Sequence, residues 1–136
     1  MDRRLSLDTG VLIGLERRTL PRSVLAEDDD LVMSIAVVAE YMVGIELASS
    51  AYRPRMERFL DSFLENTPVL AFDEEVLLEY VKLMAWTRRH GCPRGQFDLI
   101  IAATAIATGR ELLTLDRRAR FEELPGLRVR VLDPAR

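Results

Sequence analysis

The chain has 136 residues, of which 49% are hydrophobic and 30% are charged, and its formal net charge is −3. This length predicts one domain, spanning residues 1–136, and the composition excludes a disordered chain. Apolar stretches are interrupted by charge before the ~20 residues that a membrane span needs, so we expect no membrane segment and no secretory signal. Cys92 is the only cysteine, which excludes an internal disulfide and indicates a cytoplasmic protein.

In the first half of the chain, short apolar runs alternate with helical patterns. The predicted strands are Leu5–Asp8 and Leu31–Met33, and the predicted helices are Thr9–Arg18, Pro21–Ala26, Ser34–Ser49 and Arg53–Glu65. Pro21 suits a first helical position, and Ser34 is a favoured N-cap. The acidic run at residues 27–30 is expected to be a solvated loop.

The second half repeats this alternation. The predicted strands are Val69–Ala71, which Phe72 extends, Leu112–Leu115 and Val129–Val131 at a sheet edge. The predicted helices run from an Asp73 cap to His90 and from Gln96 to Thr108, with loops at residues 91–95 and a basic loop or short helix at residues 117–123. Short apolar strands separated by helices predict an α/β sandwich with a central, mainly parallel sheet flanked by helices.

Four acidic residues stand where this fold would bring them together. Asp8 and Asp116 end apolar runs, Glu40 is the one charge on an apolar helix face, and Asp98 opens an apolar helix. Ligands bind beyond the carboxyl ends of the strands in open parallel sheets. Gathered carboxylates repel one another unless a cation neutralises them, and Mg²⁺ prefers oxygen ligands. The pattern favours a metal-dependent phosphodiesterase, although each Asp taken singly also suits a helix cap.

Other chemistries lack their motifs. The sequence has no P-loop, no glycine-rich dinucleotide fingerprint after the first strand and no Gly-x-Ser-x-Gly element. A phosphoacceptor fold would need a lysine near its acidic pocket, and Lys82, the only lysine, falls in the middle of a predicted helix. His90 and Cys92 provide two metal-ligating side chains, but two ligands do not make a site, and a helix end at Gly91 followed by Pro93 explains the run better.

At the four acidic positions the chain resembles PIN domains, and among them the VapC-type toxins of bacterial toxin–antitoxin pairs. The resemblance lies in four motifs in order along nearly the whole chain. They are Leu7-Asp8-Thr9, the segment from Ser34 through Glu40 to Gly44, Phe97-Asp98-Leu99 with Ala102, Ala103 and Ala105, and Leu113-Thr114-Leu115-Asp116 followed by Phe121. Gly10 stands where the family often has serine, which leaves Thr114 as the candidate for a supporting hydroxyl.

This resemblance implies a PIN-like fold and a Mg²⁺- or Mn²⁺-dependent endoribonuclease that leaves a 5′-phosphate and a 3′-hydroxyl. Asp8, Glu40, Asp98 and Asp116 would form the catalytic, metal-binding set. Asp8 and Asp98 are the first candidates for direct ligands, while Glu40 and Asp116 would hold waters, a second ion or the attacking water. Candidates for RNA phosphate contacts are Arg17, Arg18, Arg94, Arg117 and Arg118.

The resemblance also implies partners. These are the RNA substrate, a cognate VapB-type antitoxin that obstructs the acidic pocket, and a second copy of the chain in a homodimer within a toxin–antitoxin hetero-oligomer. Three alternatives remain open from the sequence. They are a non-catalytic PIN-like module that binds RNA or protein, a metal-dependent phosphatase or nucleotide hydrolase, and a structure-specific DNA nuclease.

Overall fold

A five-stranded parallel sheet forms the centre of the computed structural model, which describes residues 3–133. The strands are β1 (Arg4–Leu7), β2 (Asp30–Ser34), β3 (Val69–Leu70), β4 (Glu111–Thr114) and β5 (Arg128–Val131). Their spatial order is β3-β2-β1-β4-β5, and every neighbouring pair is parallel. The prediction of a mainly parallel sheet is confirmed, as is the position of β5 at an edge.

Five α-helices flank the sheet within the described residues. They are α1 (Thr9–Arg17), α2 (Ile35–Leu47), α3 (Arg53–Leu64), α4 (Glu74–His90) and α5 (Gln96–Ala107). None of them combines the length and the apolar character that crossing a membrane requires.

Local capping explains where several helices begin and end. The Ser34 hydroxyl accepts from the backbone N–H of Ala36, and the Asp73 carboxylate accepts from that of Val76, as expected for N-caps. Gly91 ends α4 in the left-handed conformation at φ 61°, where a residue with a Cβ would be strained. The His90–Cys92 run is therefore a helix end, with the His90 ring bonded to the Trp86 carbonyl.

The core lies between the sheet and the helices that pack on it. Strands β1, β2 and β4 are buried over most of their length, as their position in the middle of the sheet requires. Helix α5 places a run of fully buried residues, Ile101 to Ala105, against them, and these are mostly alanines. Small side chains allow α5 to approach the sheet closely. Because α5 leads into the amino end of the parallel strand β4, its first turn lies at the carboxyl ends of the strands.

Two predictions for residues 21–30 were wrong. The expected helix is a single 3₁₀ turn at Arg22–Val24, and Pro21 precedes it in extended conformation. The acidic run is not simply a solvated loop, because Asp30 begins β2 and the Asp29 side chain is only 1% exposed. Asp29 accepts hydrogen bonds from Arg3 and from the Ala26 backbone, which lower its pKa. Arg3 lies 26 residues from Asp29, so local charge patterning gave no sign of this ion pair.

Candidate active site

Asp8 is the most buried of the four carboxylates, with 5% of its surface exposed. It follows β1 directly and caps α1, because Oδ1 accepts from the Thr9 backbone N–H at 2.8 Å. Strands β1 and β4 pair with Leu7 opposite Leu113, which brings Thr114 beside Asp8. The Thr114 hydroxyl donates to Oδ2 of Asp8 at 2.7 Å.

Burial raises the pKa of Asp8. The hydrogen bonds from Thr114 and Thr9 oppose that increase, because they stabilise the ionised carboxylate. Repulsion from Glu40 and Asp116 adds to the increase, so both lie within electrostatic reach. Asp8 is thus a helix cap and also a member of an acidic cluster.

Glu40 is half-buried on α2, where the sequence offered it no basic partner. Its partner is a neutral hydroxyl, because Thr9 Oγ1 donates to Glu40 Oε1 at 2.6 Å. Thr9 therefore bonds to Asp8 through its backbone and to Glu40 through its side chain. The sequence contained Thr9 within the first motif, but the spacing gave no indication that its hydroxyl bonds to a carboxylate 31 residues away.

Asp116 lies just beyond β4 and is exposed. Its backbone N–H donates to the Thr114 hydroxyl at 2.9 Å, so one hydroxyl orders both Asp8 and Asp116. The Asp116 carboxylate accepts from the backbone N–H groups of Arg118 and Ala119. These bonds hold the turn after β4 and leave Oδ2 without a partner among the described residues.

Asp98 lies in the first turn of α5, half-buried. Burial is the main reason that its pKa is raised to about 6, and repulsion from Asp8, Glu40 and Asp116 increases it further. Arg94 is a nearby cation that opposes this increase. All three of the other predicted carboxylates act on Asp98, so the structure brings the four together at the carboxyl edge of the sheet.

The donor chemistry of this cluster suits a hard divalent cation. Carboxylate and hydroxyl oxygens are what Mg²⁺ prefers, and a cation would relieve the repulsion that raises the pKa of Asp98. In residues 3–133, no three side chains of His, Cys, Asp or Glu are grouped so that they could hold a metal ion between them. Mg²⁺ commonly binds through one or two carboxylates and keeps several waters, so the set fits an ion of that kind without a closed cage.

The five predicted arginines differ in their surroundings. Arg17, Arg18 and Arg118 are exposed. Arg117 is exposed and paired with Asp133. The guanidinium of Arg94 is instead turned into the protein, with 9% of its side chain exposed.

A groove of about 390 Å³ begins beside Glu40 and runs between α1, α2 and α3. Glu16, which is 4% exposed, lines it, and both carboxylate oxygens of Glu16 accept from the Tyr52 hydroxyl. Tyr41 also lines the groove, and burial raises its pKa to about 12. Glu40 is the member of the carboxylate set that faces this groove, so the groove adjoins the acidic cluster without containing it.

Comparison with known proteins gives consistent matches. The model of the PIN domain family matches residues 5–127. The chain is 27% identical over 126 residues to a Rickettsia felis protein named Ribonuclease VapC1, covering 92% of this chain and 93% of that one.

Solved structures share the fold. VapBC2 from Rickettsia felis, bound to a DNA fragment from its promoter, superposes with a TM-score of 0.85 at 24% identity, over 96% of this chain and 99% of that one. VapBC-1 from nontypeable Haemophilus influenzae superposes with a TM-score of 0.78 at 25% identity, over 94% and 97%.

Proposed function

The chain belongs to the PIN domain family, and on that premise we propose that it is a divalent-metal-dependent endoribonuclease, the toxin of a toxin–antitoxin pair. Curated relatives that align over most of their length are named ribonucleases. Structural neighbours that align over nearly the whole chain are VapBC toxin–antitoxin complexes, which supports inhibition by a VapB-type antitoxin.

The observation that carries this proposal is the clustering of carboxylates at the carboxyl edge of the sheet, where Thr9 bonds to both Asp8 and Glu40 and Thr114 bonds to both Asp8 and Asp116. Asp98 has its pKa raised to about 6 partly because Asp8, Glu40 and Asp116 are near. A module that only bound RNA would gain nothing from several negative charges facing an anionic ligand, since Coulomb repulsion would oppose binding. A bound cation would offset the repulsion between the carboxylates and the RNA phosphates, so the cluster is better explained as a metal-binding site.

In the proposed reaction, Asp8 and Asp98 are the residues that would hold the divalent ion, Mg²⁺ or Mn²⁺. When bound, such an ion polarises a phosphate, lowers the pKa of water and offsets developing negative charge. The Thr114 and Thr9 hydrogen bonds favour the ionised form of Asp8, against the effect of burial, and fix its orientation, which a metal ligand requires. Glu40 and Asp116 would orient the attacking water, and one of the two would accept the proton that this water releases, while the 3′-oxygen that leaves takes up a proton from solvent.

Exposed arginines near the site would bind the RNA backbone. Arg118 follows Asp116 closely, and Arg17 lines the groove beside Glu40. A guanidinium binds phosphate in a bidentate manner and carries no sequence information by itself. We therefore expect these side chains to contribute to affinity for RNA and little to the choice of cleavage site.

The test is cleavage of a structured RNA pool by the purified protein with Mg²⁺ or Mn²⁺. Asp8→Asn and Asp98→Asn should abolish cleavage, as should EDTA. Asp28→Asn is the matched control. Asp28 is an exposed acid that precedes β2, so it lies at the amino ends of the strands and away from the acidic cluster.

Retained cleavage in EDTA or in both active-site variants would overturn the proposal. RNA that is bound but not cut by the wild-type protein, freed of antitoxin and supplied with metal, would favour the non-catalytic binding module.

A further inference from the structure

The buried guanidinium of Arg94 joins two loops of the candidate site. Its Nε donates to the Ala119 carbonyl at 2.6 Å, and Nη1 donates to the Cys92 carbonyl at 2.8 Å. Nη2 donates to the Glu123 carboxylate at 2.7 Å. A guanidinium has five N–H donors in a planar fork, and these bonds direct that fork into the protein. Arg94 in this conformation cannot also hold an RNA phosphate.

The two joined loops carry two of the proposed active-site carboxylates. On one side, Arg94 precedes Gly95, which caps α5, and Asp98 lies in the first turn of that helix. On the other side, the Ala119 N–H donates to the Asp116 carboxylate at 3.1 Å while the Ala119 carbonyl accepts from Arg94. A chain of hydrogen bonds therefore runs from the start of α5 through Ala119 to Asp116.

We propose that Arg94 is a positioning residue, which holds Asp98 and Asp116 at the separation that cation binding and RNA cleavage require. The proposal rests on the function given above, and it assigns to Arg94 no contact with RNA. Hydrogen bonds from a charged donor are about twice as strong as neutral ones, so a single side chain can hold both loops.

Arg94 also supplies positive charge close to Asp98. Apart from Arg94, the charges that act on Asp98 most strongly are the three negative carboxylates. The Glu123 carboxylate partly neutralises the charge of Arg94. The main contribution of Arg94 to the site is therefore to position the two loops, and its positive charge is secondary. A lysine would keep the charge but could not reach both loops, because an ammonium is a point donor without the guanidinium's planar fork.

The test compares the wild-type protein with Arg94→Ala, Arg94→Lys and a matched control, Arg88→Ala, which removes an exposed arginine from the last turn of α4. Three quantities are measured well below each variant's Tm. They are the Kd for Mn²⁺ from the electron paramagnetic resonance signal of the free ion, and kcat and KM on an RNA that the wild type cleaves.

For Arg94→Ala we expect kcat to fall by about 100-fold, because misplacement of a catalytic group by about 1 Å costs that much. Mn²⁺ affinity should fall by about 10-fold, as when supporting groups around metal ligands are lost. The KM for RNA should be nearly unchanged, and Arg94→Lys should recover only part of either loss. Arg88→Ala should match the wild type in all three quantities.

Two results would overturn the inference. An increased KM with unchanged kcat, together with a salt dependence of RNA binding that is reduced by about one unit of slope, would make Arg94 a phosphate contact. A lowered Tm with unchanged Mn²⁺ affinity and kcat would make it purely structural.

A second variant keeps the test decisive if Arg94→Ala does not fold. Glu123→Gln removes the ion pair and leaves the carbonyl bonds of Arg94 in place, so Mn²⁺ affinity should fall in the same direction by a smaller factor. Unchanged affinity in Glu123→Gln would then count against the inference. If the wild type bound Mn²⁺ without cutting RNA, the proposed function would fail, and the Mn²⁺ affinities alone would still decide the role of Arg94.

Discussion

The Thr114 hydroxyl donates to Oδ2 of Asp8 at 2.7 Å, between residues that are 106 positions apart in the chain. Both side chains are buried at the ends of adjacent parallel strands. The same hydroxyl accepts from the Asp116 N–H, so its orientation is set from both sides. Thr114 was predicted to supply a hydroxyl, and its position indicates that the hydroxyl serves the carboxylates themselves.

Thr114→Val should lower the free energy of unfolding by about 2 kcal/mol, because it removes a buried hydrogen bond to a charged group at nearly constant volume. It should also raise the pKa of Asp8 further and weaken cleavage. Thr114→Ser retains the hydroxyl and is the matched control. Chemical denaturation measures the first effect, and equal stability of the Val and wild-type proteins would contradict the prediction.

The raised pKa of Asp98 predicts that stability falls as the pH rises from about 4 to about 6. In this interval the folded protein binds more protons than the unfolded chain, so the free energy of unfolding decreases with pH and levels off above about 6. We expect a decrease of about 1 kcal/mol, since the half-exposed carboxylate is screened by solvent. Urea titrations of the wild type and Asp98→Asn across this range would test it. An equal slope in both proteins would show that Asp98 is not responsible.

Divalent cations should stabilise the folded protein. A ligand that binds only the folded state at 100 times its Kd adds about 2.7 kcal/mol to the free energy of unfolding. Mg²⁺ or Mn²⁺ should therefore raise the Tm, and EDTA should reverse the increase. Asp8→Asn should lose most of the increase, whereas Asp28→Asn should keep it. Differential scanning calorimetry measures these shifts, and a Tm that does not respond to either ion would contradict the prediction.

Phe121→Ala should lower the free energy of unfolding by about 3–5 kcal/mol, because it leaves a cavity where a fully buried ring now packs. Phe121 begins the 3₁₀ turn that carries Glu123, so the loop held by Arg94 should loosen as well. Leu47→Ala is the control, since Leu47 is 82% exposed and its removal should change stability by less than about 0.5 kcal/mol. A cavity variant as stable as the control would mean that the ring is not part of the core.

Local information in the sequence was enough to predict most of the helices and strands and to single out four candidate carboxylates. Ser34, Asp73 and Gly91 determine helix ends through bonds or backbone angles within a few residues, and all three were predicted. Glu40 stood out because a charge on an apolar helix face needs a partner. The boundaries of the strands differ from prediction by one or two residues, because polar residues such as Arg4, Asp30 and Glu111 also pair in the sheet, whereas apolar Leu115 lies beyond the last paired residue of β4.

The tertiary structure alone decided how those residues meet. The sheet order places β1 between β2 and β4, which brings Asp8 to Thr114 and Thr9 to Glu40. The charge of Arg94 alone predicts an exposed side chain. In the fold, this side chain turns inward and bonds to the Ala119 carbonyl, which lies 25 residues away in the chain. Hydrogen bonds between residues so far apart form only when the chain folds, and no periodic pattern in the sequence indicates them. That is the physical reason why composition and spacing predicted the acidic set, while the side chains that position it appeared only in the fold.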